Sequence, residues 1–418
     1  MSCGSCFCSF PQPSAYRTSP DTIPGYLFFD ITNGLGITQF YRIAVSDKAS
    51  FVLGGAQDNG SKRVIGDTVY QPGGADGMTC QINPDDSNHY YVSSQYGSIS
   101  RTQDGGVTFH SISRNISTSI TGQWTTPFVL DPINHTTVYA GYSTLYYSLD
   151  EGQTWATFSS LPTGANIDRI AVSPSNTNYI YILASNLIKY TIDGGTTWKS
   201  LVNPYGTVAD MTVDPNDATH IWVTYSGYTG NRVADYTPAT GWKLQTGTLP
   251  RLPINCITID HDNGTIYIGT DVAVFYRDRF MSDWALYNNG LAVVQVRDLK
   301  INYGTGELWA GTYGRGLWKT AKAGPAAHIS IVPYADGVIN AFPNPNNGTF
   351  SVTTTNNFLM DKNVMIHFIN SIGQTVFEST GTFNGNKLQV NANGLVKGVY
   401  ILDVAAGNMS ARTRIIIQ

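Results

Sequence analysis

The sequence predicts an all-β chain, a seven-bladed β-propeller followed by a small β-sandwich. Three observations predict it. Charged residues make up 13% of the 418 positions, about half the usual share, while 42 glycines and 25 tyrosines are spread among many Asn, Thr and Ser. That composition suits short strands joined by tight turns and gives helices little support. A strand–turn–strand unit returns seven times. Finally, Phe109, Trp155, Trp198, Trp242 and Trp284 recur about every forty-odd residues, the period of one four-stranded blade.

The units follow one another along the chain. The first, IAVSDKASFVLGGAQDNG, is slightly irregular. CQINPDDSNHYYVSSQYG, FVLDPINHTTVYAGYS, IAVSPSNTNYIYILAS, MTVDPNDATHIWVTYS, ITIDHDNGTIYIGTD and LKINYGTGELWAGTYG come after it. Each reads as an alternating strand, a turn, and a second strand ending in a small residue. The last blade is one strand short. LFFDITNGLGITQFYRIAVS lines up with DWALYNNGLAVVQVRDLKIN, placing Phe28 on Trp284 and Asn33-Gly34-Leu35 on Asn289-Gly290-Leu291. Residues about 26–32 are therefore expected to complete blade seven and close the ring, which removes an open sheet edge.

A turn pattern, S/T-x-D-x-G-x-T-aromatic, marks three blades. It reads Thr102, Asp104, Gly106, Thr108, Phe109; then Ser148, Asp150, Gly152, Thr154, Trp155; then Thr191, Asp193, Gly195, Thr197, Trp198. Hydroxyl and carboxylate satisfy backbone N–H groups in a tight loop. Glycine adopts a backbone conformation closed to other residues. The aromatic opens the next strand and packs between sheets. The later blades, ADYTPATGW and RDRFMSDWAL, keep only the Trp. The pattern resembles the Asp-box (BNR) repeat of sialidase-like and sortilin-like β-propellers. Its reading is structural, and Asp150 is a poor candidate for catalysis.

After Gly324-Pro325 the composition shifts to alternating strands with Gly/Asn turns, a second all-β domain. Phe342-Pro343-Asn344-Pro345, Gly348-Thr349-Phe350, Ile372-Gly373-Gln374, Leu395 with Gly398-Val399-Tyr400, and the ending Arg414-Ile415-Ile416-Ile417 resemble the C-terminal sorting domain of the type IX (Por) secretion system of Bacteroidetes. The resemblance implies export, with the secretion machinery as a partner of residues 339–418, and a secreted or outer-surface location. The expected organisation is a poorly ordered tail over 1–22, the propeller over 23–324, a linker over 325–338 and the sorting domain over 339–418. Such export needs a signal peptide. The N-terminus has no basic n-region, so a truncated or misassigned start is expected.

A net charge of −4 gives no reason to expect nucleic acid, and no apolar run is long enough to span a bilayer. Cys3, Cys6 and Cys8 form a weak zinc pattern without a second ligand pair, and Cys80 and Cys256 lie far apart. No cluster has metal-ligand spacing, no phosphate-binding glycine loop precedes a helix, and no Ser-His-Asp set is readable. Neither a metal nor a cofactor is expected.

By resemblance to other propellers, ligands sit over the central channel, on the face opposite the Asp-box turns. Loops from strand two to three and from blade to blade would bring Gln57, Asn59, Gln95, Tyr96, Trp124, Tyr142, Tyr225, Asp271, Tyr313 and Arg315 to that face. Aromatics with short polar side chains suit a glycan or a peptide segment. Asp58 and Asp76 are the candidate acid pair of a glycosidase, which needs two carboxylates ~5–9.5 Å apart; their bland alternative is turn chemistry in D-N-G and A-D-G. Arg42, Arg169 and Arg297 hold nearly equivalent places, and FYRIAVS resembles the Arg-Ile-Pro stretch of sialidases. However, Ala44 replaces the Pro, no Tyr–Glu nucleophile pair is seen, and Arg297 is one residue out of register, which would turn it to the other face. Inter-blade ion pairs with neighbouring acids such as Asp168 and Asp298 are the expected role. GGAQDNG and GTYGRGLW also resemble stretches of xyloglucanase-like glycoside hydrolases, which face two propellers across a cleft. One is present here. Three functions follow: a binding module for a glycan or protein, a glycoside hydrolase, or an adhesive fragment of a longer protein.

Overall fold

The computed structural model describes residues 29–30, 38–116, 121–158, 160–161, 165–323, 339–355, 359–370, 375–406 and 409–418. The chain divides into two compact units, Met1–Gly324 and Pro325–Gln418. The expectations for the 1–22 tail, the N-terminal cysteines, Phe28, Asn33–Leu35, the 325–338 linker and Ile372–Gln374 fall outside the described residues.

The first unit is a seven-bladed β-propeller. Six four-stranded antiparallel sheets follow in chain order, the first made of Phe40–Ala44, Val52–Ala56, Gly60–Ile65 and Thr68–Gly73. The seventh runs Val296–Asn302, Glu307–Thr312 and Leu317–Ala321, with Phe29–Asp30 as its outer strand. Phe29 pairs with Lys319 and Asp30 with Trp318, so the chain's beginning closes its last blade. Thr38 strengthens the seam by accepting the Gly314 and Gly316 amides, both at 3.1 Å. The inner strands of all seven blades line one cavity, the central channel.

Apolar side chains pack between neighbouring sheets, as with Tyr181, Ile188, Val208, Met211 and Val223 between blades four and five. At Gly55 the sheets nearly touch; an added Cβ would sit 1.9 Å from the Met78 carbonyl oxygen of the next blade. In three blades the recurring Trp hydrogen-bonds the blade before it, whereas Trp198 Nε1 donates within its own turn, to the Gly195 carbonyl at 3.2 Å. Trp155 Nε1 donates to the Ile112 carbonyl at 3.0 Å, and Trp242 Nε1 to that of Val202 at 2.9 Å. Trp284 Nε1 reaches the Gln245 carbonyl at 2.6 Å.

The S/T-x-D-x-G-x-T turns share one network. Ser148 Oγ donates to Asp150 Oδ1 at 2.7 Å and accepts the Gly152 amide at 2.7 Å. Thr154 gives its amide to Oδ1 at 2.8 Å and its hydroxyl to Oδ2 at 2.6 Å. Thr102–Asp104–Gly106–Thr108 and Thr191–Asp193–Gly195–Thr197 repeat these bonds. Gly152 has φ of 88°, which a side chain rarely adopts.

The bonds hold the carboxylates low. Asp193 falls to about 2, chiefly through the Thr197 hydroxyl. For Asp150 burial acts upward, but the Thr154 and Ser148 bonds outweigh it and bring it to about 2. A depressed folded pKa stabilises above the unfolded value, 3.8, and that stability is lost as pH falls through about 2. Thermal melts of wild type and Asp150→Asn are therefore expected to differ at pH 5 and converge toward pH 2. A constant gap would remove the linkage.

The second unit is a β-sandwich. Ile339–Phe342, Thr349–Thr354 and Lys387–Asn391 form one sheet. Thr375–Thr382, Asn363–Ile369, Gly398–Ala406 and Met409–Ile417 form the other. Alternate residues turn inward, so Phe350, Phe368, Phe383, Leu402 and Ile415 make its core.

Candidate functional site

The site is built by a repeated backbone irregularity. The innermost strands of blades one, four, five, six and seven each carry a register shift, spanning Tyr41, Asp168, Ala209, Asn255 and Arg297. A bulge sets two residues against one partner and lets neighbours face the same way. The adjacent Asp168 and Arg169 both line the channel mouth, and Arg42 and Arg297 line it with them. Arg297 therefore does not turn to the other face, as strict alternation implies; the bulge corrects its direction.

The mouth is a cavity of about 390 Å³, and Asn186, Thr207, Ser226 and Asn255 supply its neutral polar groups. Below it the channel encloses about 380 Å³. Two arginines are tied across blades. Arg42 Nη1 lies 3.7 Å from Asp298 Oδ1, and Arg169 Nε 2.9 Å from Asp210 Oδ1. Both acids also hold the next blade's backbone. Asp298 Oδ2 accepts the Ile43 amide at 2.9 Å and Asp210 Oδ2 the Ile257 amide at 3.2 Å. Asp168 is bound instead by Gln123 Nε2 at 2.8 Å, and burial raises its carboxyl pKa, partly offset by Arg169. Arg297 sits 5.8 Å from the Tyr313 ring. Burial, and then the nearby Arg42 charge, lower the pKa values of both Arg169 and Arg297. Three guanidinium groups thus share one poorly solvated space.

Two aromatic arms lead from this mouth. Trp124 is 42% exposed, donates to Tyr41 Oη at 3.2 Å, and meets the half-exposed Tyr96 edge to face at 5.2 Å. On the other side Tyr313, also exposed, donates to Gln57 Oε1 at 2.8 Å. Asn59 is exposed beside it and donates to the Gln57 carbonyl. Arg315 is exposed and carries the Trp318 indole on its carbonyl. Asp271 accepts from Asn255 at 3.0 Å and Gln295 at 2.6 Å.

Asp58 and Asp76 do meet, but through turn bonds. One Asp76 oxygen accepts the Asp58 amide, and the other accepts Gln95 Nε2 at 2.7 Å. Asp58 is exposed, with φ of 56°. Tyr142 and Tyr225 do not reach the face. They are 2% and 1% exposed, and their hydroxyls donate to the Gly97 carbonyl at 2.5 Å and to Asn203 Oδ1 at 2.7 Å. The sequence reading missed Asn186, Ser226, Asn255 and Tyr41. The signal available for two of them was the shared start of the innermost strands, where Tyr41 and Asn255 hold equivalent places.

Among the described residues no group of three His, Cys, Asp or Glu could hold a metal ion. Cys80 and Cys256 are buried free thiols, and burial pushes the Cys80 thiol up to about 12.

Residues 340–418 match the secretion system C-terminal sorting domain. This sorting domain marks the chain for export by the type IX system, to the medium or the cell surface. Among the described residues no helix is long and apolar enough to cross a membrane. No curated protein matches the chain. Solved structures resemble it at low identity. YCF48 bound to D1 peptide has 10% identity and a TM-score of 0.55 over 72% of this chain and 97% of that one. The GH74 xyloglucanase from Xanthomonas campestris has 13% identity and a TM-score of 0.55 over 71% of this chain and 54% of that one. The GH74 enzyme from Niastella koreensis has 16% and 0.54, over 93% and 73%. At such identities the likeness is one of fold, and these neighbours are β-propellers.

Proposed function

We propose that this is an exported binding protein whose propeller holds a glycan or protein ligand over the channel mouth. The observation that carries the reading is the pairing of a polar cavity of about 390 Å³ with exposed Tyr96, Trp124 and Tyr313 beside it. Exposed rings with a flanking concavity are how proteins present stacking surface and directed hydrogen bonds together. The three Asp-box turns lie at the other end of the strands and serve folding. The fold neighbours include one structure with a bound peptide and one xyloglucanase, so both ligand classes occur on this architecture.

A second reading, hydrolysis of an extracellular polysaccharide, rests on the meeting of Asp58 and Asp76. Against it, both Asp76 oxygens already accept hydrogen bonds from its own loop neighbourhood. A glycan array probed with the full chain, followed by reducing-sugar assays on each hit, separates the two. Binding without sugar release is expected. Asp76→Asn is expected to lower stability by roughly 1–3 kcal/mol by weakening the brace on the Asp58 amide. Sugar release that vanishes in Asp58→Asn or Asp76→Asn, with binding kept, would make the protein an enzyme.

A further inference from the structure

We propose a second binding site, for a neutral oligosaccharide, in the cleft between blades five and six on the Asp-box face. It lies at the opposite end of the strands from the channel mouth and does not rest on the reading above.

The first ground is a cavity of about 560 Å³, a size usual for ligand pockets. Blade five gives it Asp214 and Asp217, from the turn joining Val208–Asp214 to Asp217–Tyr225. Blade six gives Asp262 from the matching turn, and Arg277, Asp278 and Arg279 from the end of Val274–Arg277. In blades three and four the Asp-box glycine packs on the preceding blade, Gly152 on Ile112 and Gly195 on Phe158. Blade six carries RDRFMSDW at that place, and the wedge in front of it is open.

The second ground is Trp222, which lines the cavity and is 8% exposed. Its Nε1 is buried and has no hydrogen-bond partner among the described residues. Tyr181 and Tyr267 hold the equivalent place in blades four and six, and both reach the next blade. Tyr181 Oη donates to the Ala218 carbonyl at 2.8 Å, and Tyr267 Oη accepts the Ala323 amide at 2.6 Å. A buried N–H left unpaired is costly, and an acceptor entering the cleft is what it lacks.

The third ground is the balance of the lining groups. Four carboxylates and two guanidinium groups line the cleft. His220 pairs with Asp214 at 3.5 Å and Lys322 pairs with Asp262, which leaves two of each sign. An ion therefore finds no net charge to neutralise. One Asp217 oxygen takes the Thr219 amide and hydroxyl, at 2.9 and 2.7 Å, and the other has no partner among the described residues. Arg277 is fixed by Gln245 Oε1 at 2.8 Å. A hydroxyl both donates and accepts, so carboxylates interleaved with guanidinium groups suit neighbouring hydroxyls on one ring. Phe280, 55% exposed beside Arg279, adds apolar surface for the C–H face of a sugar.

The test titrates the full chain, isotope-labelled at its tryptophan indole nitrogens, with cellotriose, mannotriose and xylotriose, and with triglycine as an ionic comparison. NMR follows two signals, Trp222 for this cleft and Trp124 for the channel mouth. At least one sugar is expected to move the Trp222 signal to saturation. Asp217 and Arg279 are exposed, so Asp217→Asn and Arg279→Gln should fold, and each should weaken that response about tenfold. No movement of Trp222 with any of the three sugars overturns the inference. Movement of Trp124 alone overturns it while leaving the mouth reading standing, and movement of Trp222 alone supports it while counting against the mouth as a site for these sugars. Tighter binding of triglycine than of every sugar would make the ligand a zwitterion and overturn it. Unchanged affinity in both variants would place the sugar elsewhere and overturn it too.

Discussion

Replacing Trp284 by alanine is expected to cost the propeller about 3–5 kcal/mol, the range for removing a large aromatic from a packed core. Trp284 is 7% exposed and packs among Trp222, Leu249, Ile254 and Ile268 at the junction of blades five and six. Its indole N–H also donates to the Gln245 carbonyl at 2.6 Å, so the substitution removes a hydrogen bond along with the ring. The neighbouring Asp283 holds the Thr248 amide at 3.0 Å from the same turn, and losing the Trp loosens both. Phenylalanine keeps part of the packing and cannot donate, so Trp284→Phe should fall between wild type and Trp284→Ala. Chemical denaturation of the three proteins measures this. A loss under about 1 kcal/mol in Trp284→Ala would mean that the recurring aromatic is decoration and not a tie.

That tie is also why so much of the fold was readable. Trp155, Trp242 and Trp284 each reach the preceding sheet, so their spacing, with that of Phe109 and Trp198, counts successive blades. The turn residues Asp150 and Gly152 mark where strand three ends, because the carboxylate's bonds and the positive φ of Gly152 close that loop. Closure followed because blade seven ended one strand short. The loops of the ligand face could be located by counting strands from these fixed points.

The directions of single side chains could not be read in the same way. Tyr142 stands in a polar loop and reads as a face residue. Its ring instead enters a space kept open by Gly97, where an added Cβ would come within 2.6 Å of it. Nothing local to Tyr142 records that gap, which belongs to another blade. Arg297 shows the converse. Period-two alternation sends it away from Arg42 and Arg169, and a bulge brings it back. Bulges are set by how two strands pair, so one strand's sequence does not announce them. The candidate acids Asp58 and Asp76 were correctly placed near each other, yet proximity in the sequence reading did not show that an amide, not a substrate, takes up the first Asp76 oxygen.

Raising the pH from about 6 to 9 is expected to weaken the propeller through His220. This imidazole lies between two carboxylates, with Nδ1 3.5 Å from Asp214 and Nε2 3.0 Å from Asp235. The Trp222 ring packs 5.3 Å away, and Gln245 bonds Asp235 while also accepting from Arg277. Burial alone would lower the imidazole pKa, but the two acids outweigh it and raise it from 6.5 to about 9. A folded pKa above the unfolded one means that the charged form stabilises the fold. That stability is fully present below 6.5 and is lost as pH climbs through about 9. The shift corresponds to at most about 3 kcal/mol, since each pKa unit is worth about 1.4 kcal/mol. His220→Gln keeps a polar side chain but carries no charge to lose. Urea midpoints at pH 6 and pH 9 should therefore fall in wild type and stay nearly level in His220→Gln, which should already be weakened at pH 6. Parallel slopes in the two proteins would show that the pair of aspartates does not hold the charge, and that the alkaline loss, if any, comes from another group.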